Sequence, residues 1–315
     1  MLTIPHSLGA TRFKAVRMTS ALSTVNAYLP KVLTPIHPAF PYPIIDLFGA
    51  MRLSSVVDWM ARGVFDSPLP PDTPTKDKSR KGGKLMIKKK ERASALQECI
   101  GILVVVFGGE TFLALCTGST PSWLISPNIA LLFCLTHVIQ TRTPFRRLLP
   151  AKPTLATELF LSLPDAIGRT LLLTKFSVSS VLHPTSPNTL PATPTTLLLV
   201  PFILAVPFAS LIFSTFNFFS PSPRLTTPAE LQPGGWMLVD AWAPLVIPAL
   251  FLSLIGPVQG WNFGMGLGVS EDEAVVICMG VVWAIFTLRA VYNFGYKKEQ
   301  WSSLIGLGEK KIKVQ

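Results

Sequence analysis

Charge is scarce in this chain. Only 14% of its 315 residues are Asp, Glu, Lys or Arg, where a soluble domain carries about a quarter. A large water-facing surface is therefore excluded, and long apolar runs with charges pushed between them indicate an integral membrane protein. Cysteine is also sparse: Cys99, Cys116, Cys134 and Cys278 each lie inside an apolar run with no CxxC pair, which gives neither a disulfide framework nor a zinc site. No secretory signal with a compact apolar core stands out. There is no His/Asp/Glu metal cluster and no Ser-His or Asp-Asp motif of catalytic spacing, so the chain reads as a non-enzyme without metal or cofactor.

Against that background the net charge of +11 is informative through its distribution. Basic residues gather in short loops beside apolar runs, as topology signals and anionic-lipid contacts do, which argues against a nucleic-acid partner. Seven spans near the roughly 20 residues a bilayer requires are expected at about 43–64, 96–117, 122–141, 154–176, 196–219, 236–255 and 272–293. Residues 1–40, rich in Ser, Thr and Pro, form an N-terminal tail. Arg12, Lys14 and Arg17 precede the first acid of the chain, Asp46, so the tail reads as a mitochondrial transit peptide or a plain extramembrane tail. Residues 41–293 form the transmembrane domain and 294–315 a basic tail.

Lys and Arg alternate between loops. The loop at 66–92 holds nine of them within 76–92; the third loop adds Arg142, Arg146, Arg147 and Lys152, the fifth Arg224 and the tail five lysines, while the second, fourth and sixth loops have none. The positive-inside rule then puts the N-terminus on the lumenal side, and the loop 66–92 and C-terminus in the cytosol. A short echo, Asp46-Leu-Phe-Gly49 with Arg52 and Asp165-Ala-Ile-Gly168 with Arg169, falls in spans one and four. Spans three apart cross in opposite directions, as in a 3+3 inverted repeat plus one C-terminal helix.

Span two carries Gly108, Gly109 and Glu110 in its middle. The glycines either pack two helices closely or form a hinge. A mid-bilayer carboxylate needs water, a partner or a proton, so a hinge at a hydrated path accommodates all three residues. Span five breaks its own helix with Pro201 and Pro207. Asp165 and Arg169 stand at i,i+4 and suit an ion pair. Asp240 and Arg289 suit a pair across helices six and seven. His137 reads as a hydrogen-bonded core residue, and Glu98 and Glu271-Asp272-Glu273 as solvated helix ends. Trp123, Trp236, Trp242 and Trp261 suit an aromatic belt, and GMGLG at 264–268 a flexible turn.

Phe107-Gly108-Gly109, Gly118-Ser-Thr-Pro121, Asn128 and Pro144 are similar to the second and third helices of trimeric intracellular cation channels, and Phe40-Pro41 with Asp46 to their first helix. The resemblance runs over roughly 38–293 and is close only over 107–145. It implies a homotrimer in the endoplasmic reticulum or nuclear envelope, a mitochondrial membrane being the alternative. It also implies a potassium-type cation pore framed in each subunit by bent helices two and five. The family's Lys-Glu-Val-x-Arg signature on helix four, tied to a phosphoinositide, falls on Asp165 to Arg169: Arg169 is kept, but Asp165 replaces the lysine and repels phosphate. Asp46, Arg52, Asp165, Arg169 and Lys175 are thus candidates for the polar bundle or a lipid-headgroup site, with Glu110 and Asp165 as cation-attracting carboxylates. An ion- or proton-coupled transporter, or a structural protein binding anionic lipid or a partner, are the other readings.

Overall fold

In a computed structural model the described residues are 20–38, 40–64, 92–147, 149–184, 190–221, 225–228, 231–232, 238–256 and 267–295. Residues 1–19, the loop 66–92 apart from Arg92, Arg224, Trp236, Trp261, the 264–266 part of GMGLG and the tail from 296 lie outside them.

Among the described residues the regular structure is helical except for one antiparallel hairpin, β1 (Pro35–His37) with β2 (Phe40–Pro43). Its main helices are α1 (Ser20–Leu33), α2 (Ile44–Ala61), α3 (Ala95–Thr117), α4 (Asn128–Arg142), α5 (Leu155–Leu173), α6 (Pro194–Ala205), α7 (Val239–Ile255) and α8 (Glu271–Ala290). Helix α1 corrects the reading of 1–40 as a plain tail. Leu29 and Leu33 recur one turn apart and tuck into the core, which ties α1 to α8 and α2.

Two helices, Ala95–Thr117 and the run Glu271–Phe294, are long and apolar enough to cross a membrane. The other expected spans fall short for visible reasons. The third does not run unbroken from 122: a single turn, Ser122–Ile125, stops at Ser126, and α4 begins only after Pro127. The fifth breaks after Val206 into a π segment, Pro207–Ile212. The sixth has 17 residues. The first and fourth carry charges through their centres.

Helix ends follow local chemistry. Ser94 accepts from the Gln97 N–H to start α3, and Gly118, at φ 66°, ends it in the left-handed region that glycine adopts without strain. Capping boxes open α5 (Thr154/Thr157) and α8 (Ser270/Glu273).

Helix α5 packs along α8, α2 along α4 and α5, α3 against α6 and its π extension, and α7 against α6 and α8. One core joins α5 to α8 around Leu171, Leu197, Ile247, Phe251, Val275 and Cys278; a smaller one holds Val57 and Ile102. Beside this apolar core, several polar groups are buried and several large apolar side chains are exposed. Asp58, Glu98, His137, Gln140, Glu158 and Thr170 are buried, whereas Leu96, Leu115, Leu131, Phe160, Phe176 and Leu288 are exposed, Leu115 to 77%.

Candidate functional site

The crossing of α3 and α6 brings Gly108 and Gly109 against the chain around Pro207. Helix α3 runs unbroken through Gly108 and Gly109, and the bend lies on its partner. Pro207 has no N–H to give to the Ile203 carbonyl four residues back, and the backbone widens there, with the Leu211 N–H reaching Val206 O at 3.4 Å. That Ile203 carbonyl lies against Gly109: a Cβ there would sit 2.8 Å from the oxygen and from Leu204 Cα. A Cβ at Gly108 would sit 2.5 Å from the Phe208 ring. Pro201 is buried within α6. The two glycines thus let α3 approach a stretch of helix whose prolines have disturbed its hydrogen bonding. Beside the crossing, Leu103, Phe107, Phe112, Trp123, Phe208 and Ile212 line an apolar cavity of about 540 Å³.

Glu110 points elsewhere. Its carboxylate accepts the Ser122 N–H and, at 3.0 Å, the Ser122 hydroxyl, so it caps the turn Ser122–Ile125, whose own N-cap is Pro121. Trp123 Nε1–H donates to Thr111 Oγ1 at 3.0 Å, tying the same turn to α3.

A second assembly is a line of charges through the bundle. Arg52 on α2 donates two 2.7 Å bonds to Glu158 and lies 4.0 Å from Asp165, both on α5. Asp165 pairs with Arg169 at 3.1 Å, and Arg169 with Asp240 on α7. Arg289 on α8 approaches Asp240 at 3.5 Å. Three carboxylates meet three guanidiniums, and both Arg169 and Arg289 lie over the Phe286 ring, at 5.4 and 4.9 Å. Asp165 therefore serves as the hinge of an ion-pair chain. Asp46, in the first turn of α2, joins no such chain and sits where a helix N-terminus favours an acid. Lys175 reaches Asp272 at 2.5 Å, next to a His183–Glu271 contact at 2.5 Å and Ser179–Glu271 at 3.0 Å. These bonds tie the end of α5 to the start of α8.

A third assembly went unread in the sequence. Glu98, expected at a solvated helix end, is 1% exposed. It accepts from Arg92 (2.8 and 3.1 Å), Arg142 (2.9 Å) and His137 Nε2 (3.0 Å). His137 Nδ1 meets Ser54 Oγ at 2.9 Å. Asp58 pairs with Arg62 and, at 2.8 Å, with Arg92. Burial alone would loosen the Arg92 proton, but Glu98 and Asp58 outweigh it and hold that guanidinium above its ordinary pKa. Ser54, His137 and Glu98 form a hydroxyl–imidazole–carboxylate line, yet His137 and Ser54 are 0% exposed, so the line is a sealed hydrogen-bond chain rather than a nucleophile open to substrate. The signal for it was an acid in the first turn of the most apolar long helix. Its partners came from positions 39 and 44 residues further on.

Among the described residues no three His, Cys, Asp or Glu side chains converge to hold a metal. No family model, curated protein or solved structure matches the chain.

Proposed function

We propose that the chain is a polytopic membrane protein that conducts monovalent cations, potassium-type by its resemblance to trimeric intracellular cation channels. The single observation behind this reading is the α3–α6 crossing, where a carbonyl released by Pro207 meets the side-chain-free face of Gly109. Irregular backbone at membrane depth occurs where it is buried in protein or lines a polar path, and bare carbonyls are cation ligands. The exposed apolar and buried charged side chains support embedding in lipid. In this reading all seven spans cross the bilayer as a 3+3 inverted repeat plus α8, the α2–α5 and α3–α6 contacts being the pairings such a repeat makes across its axis. The path lies between α3 and α6, closed at the crossing. The protein assembles as a homotrimer in the endoplasmic reticulum or nuclear envelope, N-terminus lumenal and C-terminus cytosolic, with anionic lipid at the cytosolic face.

The test is flux through purified protein in liposomes under a potassium gradient. We expect current with a cation-selective reversal potential, unchanged in Glu110→Gln, whose carboxylate faces the Ser122 turn rather than the crossing. Electrically silent liposomes would remove the channel reading.

One feature favours an ion-coupled carrier instead: Arg52 stands between Glu158 and Asp165, and Arg169 between Asp165 and Asp240, so each arginine has a second partner to exchange into. A carrier would show slow, saturating, coupled uptake in the same liposomes.

Orientation is tested separately. In a cysteine-free background, single cysteines placed within 76–92 and within 177–195 are expected to label from opposite faces of sealed microsomes. Labelling of both from one face would overturn the assigned topology.

A further inference from the structure

The cavity beside the α3–α6 crossing is elongated and apolar. On α3 its lining recurs at Ile100, Val104, Phe107, Thr111 and Leu115, which share one helix face. At 1.5 Å per residue those positions follow about 22 Å of helix. Phe208 of the π segment, Trp123 and Ala130 line it from other elements. Spread over that length, about 540 Å³ corresponds to a channel roughly 5 Å across.

Its polar groups are already used. Trp123 Nε1–H donates to Thr111 Oγ1 at 3.0 Å, and the Thr111 hydroxyl donates to the Phe107 carbonyl at 2.7 Å. A water needs two to four polar partners, and an ion or polar ligand would lose hydration there without replacement. The occupant that fits is therefore apolar. An apolar cavity of about 150 Å³ takes benzene, so this one has room for on the order of twenty carbon atoms. Its width admits a single hydrocarbon chain, whose atoms keep about 4 Å from their neighbours. A helix from a second copy, at about 10–12 Å in diameter, is too wide to enter. The rim residues Ile100, Phe112 and Leu115 are exposed, on a helix long and apolar enough to cross a membrane, so the cavity opens where lipid is the neighbour. One leaflet of a hydrocarbon core about 30 Å thick is about 15 Å deep, and the cavity is long enough to hold a chain over that whole depth.

We propose that this cavity binds one acyl chain of a bilayer phospholipid, lying along α3 between Ile100 and Leu115. The chain packs against Phe208, the side chain that faces Gly108, and so supports the crossing from its lipid side. The site rests on embedding in a membrane and not on ion conduction.

The experiment reconstitutes the full-length protein in phosphatidylcholine vesicles containing a small fraction of phosphatidylcholine with a photoactivatable diazirine on its acyl chain, irradiates, digests and maps adducts by mass. We expect adducts on Phe107, Trp123 and Phe208, relative to their exposure, to be enriched on the order of fivefold over those on Phe160, Phe176 and Leu288, the ratio that a preference of about 1 kcal/mol gives. The comparison side chains are exposed apolar groups away from the cavity. Ala130→Trp and Val104→Phe add bulk to the cavity from two different helices. Each should abolish the enrichment and leave labelling of Phe160 and Leu288 unchanged. The proposal is overturned if adducts on the parent protein follow exposure alone, as contact with bulk lipid would give, or if both filled variants keep the enrichment. It is equally overturned if the lining residues are shielded from the label altogether, as they would be beneath a second copy.

Discussion

Replacing Glu98 with alanine should cost the folded protein about 3–5 kcal/mol, the range observed when one partner of a buried ion pair is removed. The carboxylate accepts four hydrogen bonds, from Arg92, Arg142 and His137, and its removal strands donors that burial has separated from water. Arg92 keeps Asp58 at 2.8 Å and Arg142, a third exposed, keeps the Ala93 carbonyl at 2.8 Å, so the loss is concentrated on His137, which has 0% exposure. Glu98→Gln preserves the shape but turns an amide N–H₂ toward a guanidinium, donor against donor, and should fall between alanine and the parent. The exposed His183–Glu271 contact at the opposite end is the comparison: Glu271→Gln there removes a solvent-screened pair and should change stability by less than about 1 kcal/mol. Thermal unfolding of detergent-purified protein, with yield from membranes as a second reading, measures all three. A parent-like melting temperature in Glu98→Ala would show that the network contributes nothing to the fold.

Much of the helix map was legible because its signals are local. Apolar length located α3 and α8, expected at about 96–117 and 272–293 and found at Ala95–Thr117 and Glu271–Ala290. Other features depend on partners far away in sequence. Glu98 looked like a solvated terminus because its cations come from Arg92 before α3 and from Arg142 at the end of α4. Even the Asp165–Arg169 pair, whose i,i+4 spacing is written in the sequence, gave no hint that Arg52 and Asp240 extend it across three helices. The break before α4 is a local conflict that an apolar count overlooks: Ser126-Pro127 interrupts a run hydrophobic enough to pass as one span. Residues 20–33 failed in the other direction. Their Ser, Thr and Pro content suggested a tail, but Leu29 finds a core to enter and the helix forms with Pro30 inside it.

The two glycines of α3 should respond differently to the same methyl group, and this contrast decides what the crossing does. At Gly108 the added Cβ meets the Phe208 side chain at 2.5–2.7 Å; at Gly109 it meets backbone, Ile203 O and Leu204 Cα, at 2.8 Å. Overpacking of this kind costs roughly 1–3 kcal/mol. Gly108→Ala should be partly relieved by Phe208→Ala, with a coupling of at least about 0.5 kcal/mol, because that change removes the Phe208 ring atoms at 2.5 and 2.6 Å and leaves only its Cβ at 2.7 Å. Gly109→Ala should not be relieved, since no side-chain truncation moves the α6 backbone. A strained crossing is a weakened one. If ions pass between α3 and α6, Gly109→Ala shifts the population away from the closed contact, and potassium flux per folded protein should rise on the order of tenfold for each 1.4 kcal/mol of strain not shared by the open form. Gly108→Ala should raise flux as well, and Gly108→Ala/Phe208→Ala should return it toward the parent value. Flux that falls in proportion to folded yield in both single variants would mean that the crossing serves packing alone, and the conduction path would then have to lie elsewhere in the bundle.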